Sequence, residues 1–409
     1  MDITIFPQKL SGQINAVASK SHAHRILLCS ALADKPTYVK IQTISGDLAA
    51  TIGCITSFGA EIEHHYGQAE IIKPIQHIPS TAICNCGESG STLRFMLPLA
   101  GALGIDTLFL LEGRLPYRPL SPLWEEMERH GCQLSWIKPS EMLAQNIPIS
   151  CSVTAGLQLK GKLRPGHYRI DGNVSSQFIS GLLMALPLLD DASELDLMGA
   201  VESRPYIDLT LETLRKFDIH WVGSHTSGRQ QFKSPGTIRV ESDWSNAAFW
   251  LTADALGSQV TVHGLSPDSL QGDKAILPLL KKLQNHCCIS ATDIPDLVPV
   301  LAVFASANQG AVITDIRRLR LKESDRVFST LEMIRGLGGN ATADENTMTI
   351  FPSALIGGTV DSHCDHRIAM AAAIASTVCT KPVTILGAEC VRKSYPNFWK
   401  EFTRLGGNI

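Results

Sequence analysis

The sequence predicts an α/β (α+β) protein made of two similar domains, and two observations carry that reading. A phrase of one kind recurs six times: an amphipathic stretch of helical period, a Gly, Asn or Asp stop, then a short alternating strand. The length, 409 residues, exceeds what one hydrophobic core usually organises. In chain order the stops are Gly59 in ITSFGAEIE, Gly131 in MERHGCQLS, Asp218 in LRKFDIHWV, Asn285 in KKLQNHCCIS, Gly338 in IRGLGGNATA and Gly406 in FTRLGGNI. These residue types tolerate the left-handed backbone that ends a helix, so one physical device is expected at all six. Their spacings (59 to 131, 131 to 218, 218 to 285, 285 to 338, 338 to 406) are too long and uneven for a solenoid. Each phrase is therefore an α/β unit that must bury its helix against its neighbours, with three units enough for one core and six for two. The turn cluster Ser234, Pro235, Gly236 separates the third unit from the fourth and marks a crossover.

Composition narrows the function. With 36 Lys+Arg against 39 Asp+Glu the net charge is −3, which argues against a protein held mainly by nucleic-acid phosphates. Hydrophobic residues make up 44% and charged residues 18%, which excludes disorder. The opening MDITIFPQKL has no basic stretch followed by an apolar block, and no run of about 18 apolar residues is free of charge, so a cytoplasmic protein without membrane association is expected. The 11 cysteines are scattered, and neither Cys84 with Cys86 nor Cys287 with Cys288 has zinc-site spacing; reduced structural thiols are expected.

The chemistry concentrates where Arg, Lys, Ser and Gly abut strongly apolar helices. In ASKSHAHRILLCSALA, Ser19, Lys20 and Ser21 precede a helix whose opening includes Arg25, the makings of an anion site. In GESGSTLRFMLPLAGAL, Gly87 and Gly90 allow close backbone approach and Arg94 lies in the first helical turns, but the spacing is neither a Walker loop nor a nucleophile elbow. DGNVSSQFISGLLMAL places Ser175, Ser176 and Gln177 at the mouth of a buried helix as neutral donors suited to a phosphate monoester, and SRPYIDLTLETL adds Ser203, Arg204 and Tyr206. RLRLKESDR contributes Lys322, Glu323, Asp325 and Arg326, CDHRIAMAAAIA contributes Asp365, His366 and Arg367, and VRKSYPNFW contributes Lys393. Standing alone, ASKSHAHRILLCSALA would read first as a plain helix cap with solvated cations, and SRPYIDLTLETL as readily as capping and surface stacking. No metal is expected at His363, Cys364, Asp365 and His366, because adjacent ligands seldom converge and Arg367 would repel a cation. Together, Lys20, Arg25, Arg94, Arg118, Lys322, Arg326, Arg367 and Lys393 make a locally basic site in an acidic chain. Such a count suits two small polyanions, with Asp296 and Glu323 available for proton transfer.

In this order, SKSHAHR, GESGSTLR, YRPLSPL, DGNVSSQF, SRPYIDLTL, TDIPDLVPVLA, RLRLKESDR, DHRIAMA and KSYPNFW resemble the 5-enolpyruvylshikimate-3-phosphate synthase family over nearly the full chain. KESDR with DHRIAMA and VSSQF in one chain is the specific part. The resemblance implies two domains, each of three βαβαββ units with pseudo-threefold symmetry, and a ligand site in the interdomain cleft that closes on its ligands. It implies an N-terminal domain of residues 19–240 on the shikimate-3-phosphate side, and a C-terminal domain of residues 1–18 plus 241–409 on the phosphoenolpyruvate and catalytic side. It implies transfer of the enolpyruvyl group of phosphoenolpyruvate to the 5-hydroxyl of shikimate-3-phosphate, with no cofactor, by a monomer.

Carried over by resemblance, Ser21, Arg25, Ser175, Ser176, Ser203, Tyr206 and Lys322 correspond to shikimate-3-phosphate contacts, and Lys20, Gly90, Arg118, Gln177, Arg326, Arg367 and Lys393 to phosphoenolpyruvate contacts. Asp296 corresponds to the carboxylate near the attacking hydroxyl and Glu323 to the acid near the methylene carbon, with Lys20 and His366 completing the catalytic set. Lys322 and Arg326 should depress the Glu323 pKa, and bound anions should push it back up. Where the family commonly has Asn after the first Gly of its loop, this chain has Glu88. Gly90 is kept where glyphosate-tolerant members carry a bulkier residue, which implies inhibition by glyphosate. The nearest rival, enolpyruvyl transfer to UDP-N-acetylglucosamine, typically brings a cysteine near the Arg118 segment, and EGRLPYRPLSP has none. An inactive homologue acting as a binding subunit would be expected to lose Lys20, Asp296, Glu323 or His366, and all four are present.

Overall fold

Residues 1–65 and 69–409 are described by a computed structural model. The chain divides into two compact units, one of Met1–Ser19 with Glu241–Ile409, the other of Lys20–Val240. The ends of the first unit are stitched where the chain enters and leaves it: the Ser19 N–H donates to the Glu241 carbonyl at 2.8 Å, and Ala18 bridges Ser242.

One motif recurs within each unit. In the unit 20–240, strand Thr81–Gly87 leads through helix Gly90–Leu103 to the parallel strand Asp106–Glu112, and then, by way of helix Leu123–Arg129, to the antiparallel pair Gln133–Ile137 and Val153–Lys160. That is strand, helix, strand, helix, strand, strand. The other two sheets of this unit also join a parallel pair to antiparallel neighbours. One runs Thr237–Arg239, Thr37–Lys40, Ala69–Lys73, Glu61–His65, and the other His167–Asp171, Ser193–Met198, His225–Thr226. The unit 1–19 with 241–409 repeats the motif in Cys287–Ser290, Ala311–Thr314, Asn340–Ala343 and Thr347–Phe351. It repeats it again in Gly358–Asp361 and Val383–Leu386, with Ile3–Ile5 antiparallel to the latter, and Gln259–His263 lies parallel to Ser11–Asn15. The right-handed crossover preference for parallel pairs requires a helix between their strands, which explains why the phrase repeats so regularly.

The stops behave as expected at five positions. Gly59, Gly131, Asp218, Gly338 and Gly406 take φ of 103°, 105°, 60°, 86° and 96°. Asn285 does not: helix Ile276–Lys282 ends three residues before it with Leu283 right-handed as its cap, so this end needs no left-handed residue. The turn at Ser234–Gly236 also differs from its expected role. It opens strand Thr237–Arg239 of the same unit, and the unit boundary falls after Val240.

Central helices are buried on every side. Each residue of His366–Ala375 and of Val298–Ser306 is buried, and 12 of the 14 in Gly90–Leu103 are. A helix apolar all round has no solvent face, so it must be enclosed by other elements. The alanines of His366–Ala375 and Gly181 of Ser176–Ala185 permit close packing; a methyl group on Gly181 would lie 2.4 Å from the Arg94 carbonyl oxygen. Among the described residues, no helix is long and apolar enough to cross a membrane.

Candidate active site

The candidate residues gather at the N-terminal ends of buried helices. In the unit 20–240, Lys20 and Ser21 do not precede their helix as expected; they are its first two residues, in Lys20–Ala31. Lys20 Nζ pairs with Asp47 Oδ2 at 2.6 Å, the side chains 15% and 14% exposed. Arg25 is sunk one turn deeper, where Nε donates to Thr210 Oγ1 at 2.7 Å, Nη1 to the Ser21 carbonyl at 2.6 Å, and Nη2 to Ser180 Oγ at 3.1 Å and the Tyr206 carbonyl at 2.9 Å. Burial lowers this guanidinium to about 10, with Tyr206 and Cys29 opposing, so it stays charged at neutral pH. His22 and His24 flank it. Burial, then the cations Lys216 and Arg25, push His22 down to about 3, and burial with Lys20 and Arg25 holds His24 well below its usual value. Both imidazoles are neutral, and the positive charge of this helix end belongs to Lys20 and Arg25.

A second cluster joins helix Gly90–Leu103 to Ser176–Ala185. Arg94 Nη1 donates to Gln177 Oε1 at 2.8 Å, Gln177 Nε2 donates to Ser91 Oγ at 2.9 Å, and Arg94 Nη2 reaches the Pro119 carbonyl at 3.2 Å. Ser175 caps Ser176–Ala185 through the Gln177 N–H at 3.3 Å. Arg118 follows the short 3-10 turn Leu115–Tyr117 and brings its guanidinium to the start of Gly90–Leu103: a methyl group on Gly90 would meet Arg118 Nη1 at 2.7 Å and Arg94 Nη1 at 2.8 Å. Glycine at position 90 is therefore what lets two guanidinium groups share one helix N-terminus. The departure at Glu88 places a carboxylate against Gly113, whose own methyl would meet Glu88 Cδ at 2.6 Å. Ser203 caps Arg204–Lys216 with φ of 53°, a left-handed conformation that costs a non-glycine residue energy.

In the unit 1–19 with 241–409, Arg326 is the hub. Only 1% exposed, it donates from Nη1 to Asp296 Oδ1 at 2.7 Å, from Nη2 to Glu323 Oε2 at 2.7 Å and from Nε to Asp365 Oδ2 at 2.9 Å. Burial would lower its pKa, but Asp365, Asp296 and Glu323 outweigh burial and raise it. Arg367 Nη2 reaches Asp296 Oδ2 at 3.3 Å with its guanidinium carbon 5.9 Å from the Phe249 ring centre. Burial would raise the Asp296 pKa; Arg367, Arg326 and Lys322 override it and hold this carboxylate far below its usual range. Lys322 goes the other way: burial first, then Arg318, push its ammonium down to about 7 against the pull of Asp296. His366 is the buried first residue of His366–Ala375, with Nδ1 4.0 Å from Asp365 Oδ1, and Lys393 Nζ donates to the Cys364 carbonyl at 2.9 Å. In the HCDH stretch the groups face different ways, His363 edge-on to the Phe328 ring and Asp365 towards Arg326.

Sequence reasoning selected cations and missed what fixes them. Asp47 on Lys20, Thr210 and Ser180 on Arg25, and Ser91 on Gln177 were not foreseen. Asp47 carried a weak signal, an acid in the first turn of Gly46–Ser57 after the Ser45 cap, which points to its own helix dipole and not to Lys20. The eight cations divide equally, Lys20, Arg25, Arg94 and Arg118 in one unit and Lys322, Arg326, Arg367 and Lys393 in the other. Nor is all of the charge loose, since carboxylates already engage Lys20, Arg326 and Arg367.

The family model for EPSP synthase (3-phosphoshikimate 1-carboxyvinyltransferase) matches residues 6–293 and 284–402. A protein of Clostridium kluyveri named 3-phosphoshikimate 1-carboxyvinyltransferase is 37% identical over 431 residues, covering 100% of this chain and 98% of its own length. One of the same name from Clostridioides difficile is 36% identical over 442 residues, covering 100% and 98%. An EPSP synthase structure from Acinetobacter baumannii superposes with a TM-score of 0.77 at 22% identity, over 99% of this chain and 98% of that one, which speaks for the fold. Full-length matches of this strength establish that the chain belongs to the EPSP synthase family.

Proposed function

We propose that this chain transfers the enolpyruvyl group of phosphoenolpyruvate to the 5-hydroxyl of shikimate-3-phosphate, releasing inorganic phosphate. The observation that carries this reading is the Arg326 hub, which holds Asp296 and Glu323 on one guanidinium beside Arg367 and Lys322. Addition needs a proton delivered to the methylene carbon of phosphoenolpyruvate while the hydroxyl oxygen bonds to the neighbouring carbon. Elimination needs that proton taken back as the carbon–oxygen bond to phosphate breaks. Glu323 serves as acid and then base at the carbon, and Asp296 accepts the hydroxyl proton. In the present arrangement Asp296 is too weak a base for that task. An anionic substrate that takes Arg326 and Arg367 for its own carboxylate or phosphate releases Asp296 from both and restores its basicity, so the base is armed by substrate.

Around that chemistry, Lys20, Gly90, Arg118, Gln177, Arg326, Arg367 and Lys393 receive phosphoenolpyruvate. Ser21, Arg25, Ser175, Ser176, Ser203, Tyr206 and Lys322 receive shikimate-3-phosphate, and His366 sits beside the hub as part of the catalytic set. Arg25, whose donors are held by Thr210, Ser180 and two carbonyls, acts by charge and by fixing the Ser21 and Tyr206 backbone. The reading includes a monomeric cytoplasmic enzyme that needs no cofactor, nucleic acid or membrane. The test is phosphate release from phosphoenolpyruvate with shikimate-3-phosphate, run beside UDP-N-acetylglucosamine. Release with the first acceptor alone is expected; release with the second alone overturns the acceptor, and release with neither overturns the activity.

A further inference from the structure

With side chains that belong to none of the candidate residues above, the three-stranded sheet His167–Asp171, Ser193–Met198, His225–Thr226 gathers metal-type donors on one face. The register does it. His167 pairs with Glu194 across the parallel ladder, Glu194 pairs with His225 across the antiparallel one, and Asp196 lies two residues beyond Glu194, on the same face by strand alternation. His167 Nε2 is 2.6 Å from Asp196 Oδ2 and 4.0 Å from Glu194 Oε2, and the three ligand atoms lie within 4.8 Å of one another. A fourth donor follows from the other side: His225 Nε2 is 3.2 Å from Glu194 Oε1. Ser224 Oγ lies 3.1 Å from both Glu194 Oε1 and His225 Nδ1, which orients the carboxylate and leaves the Nε2 of His225 to a ligand.

We propose that His167, Glu194, Asp196 and His225 form a surface site for a divalent transition metal of the Zn²⁺ class, clamping the three strands of this sheet. Bonds of about 2.0–2.2 Å to nitrogen and oxygen put tetrahedral ligand atoms about 3.3 Å apart; the His167 separations of 2.6 Å to Asp196 and 4.0 Å to Glu194 Oε2 bracket that value, and the exposed His225 ring, 3.2 Å from the other Glu194 oxygen and outside that group of three, joins by rotating about its own side-chain bonds. Two imidazoles and two carboxylates favour Zn²⁺ over Mg²⁺ or Ca²⁺, which prefer all-oxygen shells, and the two carboxylates balance the ion's charge. The ion replaces the His167–Asp196 hydrogen bond, and any proton on either imidazole goes to solvent. His225–Thr226 is a strand of two residues, so a bridge from it through Glu194 to His167 ties down the weakest edge of the sheet. Arg169, two residues beyond His167 on the same exposed face, opposes the ion.

The test is Zn²⁺ titration of the full chain, stripped with chelator, by calorimetry and thermal melting. To silence the exposed thiols, Cys151, Cys288 and Cys364 are replaced by Ser in the background protein. One equivalent bound with a micromolar Kd and a raised Tm is expected, with binding at least ten-fold weaker and the Tm gain lost in His167→Gln and in His225→Gln, and tighter binding in Arg169→Gln. Phosphate release is expected to be the same in all three variants, which separates this site from the reaction. No binding at a hundred micromolar Zn²⁺, or an equivalent that survives both histidine substitutions, overturns the proposal.

Discussion

Lys322 should make shikimate-3-phosphate binding titrate near neutral pH, well below the alkaline range in which an ordinary lysine site loses its anion. With its ammonium pushed down to about 7 by burial and Arg318, the free protein is only half-charged at this position at neutral pH. An anion placed against it restores the charged form. The free-state pKa is the low one and the bound-state pKa the high one, so binding takes up a proton. Affinity is then full below about pH 7 and falls as the pH rises through the window between the two values. If only the ammonium form binds, the apparent Kd grows as 1 + 10^(pH − pKa), from about 2 at pH 7 to about 100 at pH 9, a roughly fifty-fold loss or about 2.3 kcal/mol. The ligand's own phosphate changes this range little, because its second ionisation, near pH 6, is already about nine-tenths complete at pH 7. Calorimetry in two buffers of different ionisation enthalpy should show about half a proton taken up at pH 7, approaching one at pH 8.5. Lys322→Arg, which cannot lose its charge, should bind with little pH dependence. A wild-type affinity constant within two-fold from pH 7 to pH 9, or an equal slope in Lys322→Arg, refutes the reasoning.

Further outcomes follow at Glu323, Asp296, Gly90 and Asp365. Glu323→Gln keeps both the bond length to Arg326 and ligand binding but loses the proton carrier, so turnover should fall by at least about a hundred-fold with Kd little changed; Asp296→Ala should also lower kcat, and in either case turnover within a few-fold of wild type removes the residue from the mechanism. Gly90→Ala puts a methyl 2.7 Å from Arg118 Nη1 and 2.8 Å from Arg94 Nη1; both are movable side-chain ends, so stability should hold while the KM for phosphoenolpyruvate rises about ten-fold, near 1.4 kcal/mol, and wild-type turnover should be inhibited by millimolar glyphosate. Asp365→Asn should cost about 3–5 kcal/mol in urea unfolding followed by tryptophan fluorescence, because it removes a fully buried partner of a buried guanidinium, and Asp365→Ala should cost about 1 kcal/mol more through the lost helix cap; a loss under 1 kcal/mol for both would show that Asp296 and Glu323 alone hold Arg326.

Much of the fold was legible because its signals are local. A glycine that must take positive φ, as Gly59, Gly131, Gly338 and Gly406 do, is written into the sequence as a glycine after a helical period. Asn285 was misread for the complementary reason: asparagine permits the left-handed turn without requiring it, and the helix there stops earlier by another route. The Ser234–Gly236 turn was seen and its role misjudged, since strand Thr237–Arg239 is too short to announce itself and is defined only by its parallel partner Thr37–Lys40. Pairing across about 200 residues leaves no mark in either segment alone.

The candidate site was legible as a list of cations and carboxylates, not as an arrangement, and the difference is a matter of charge balance. RLRLKESDR reads as basic, yet the guanidinium at its end faces three carboxylates, of which Glu323 lies three residues away, Asp296 thirty and Asp365 thirty-nine. Only the nearest is visible as a helical pair. The hub is pre-built by Asp365, which is fully buried and also caps the helix His366–Ala375, so the depth of that helix fixes where Arg326 sits. Asp296 and Glu323 are less buried, at 27% and 23% exposure. On the proposed mechanism, a substrate anion displaces Asp296 and Glu323 while Asp365 keeps the guanidinium in place. One buried, structural carboxylate and two more accessible ones on the same arginine are what the proposed mechanism needs, an ion cluster that stays in place while its base is released by the arriving substrate.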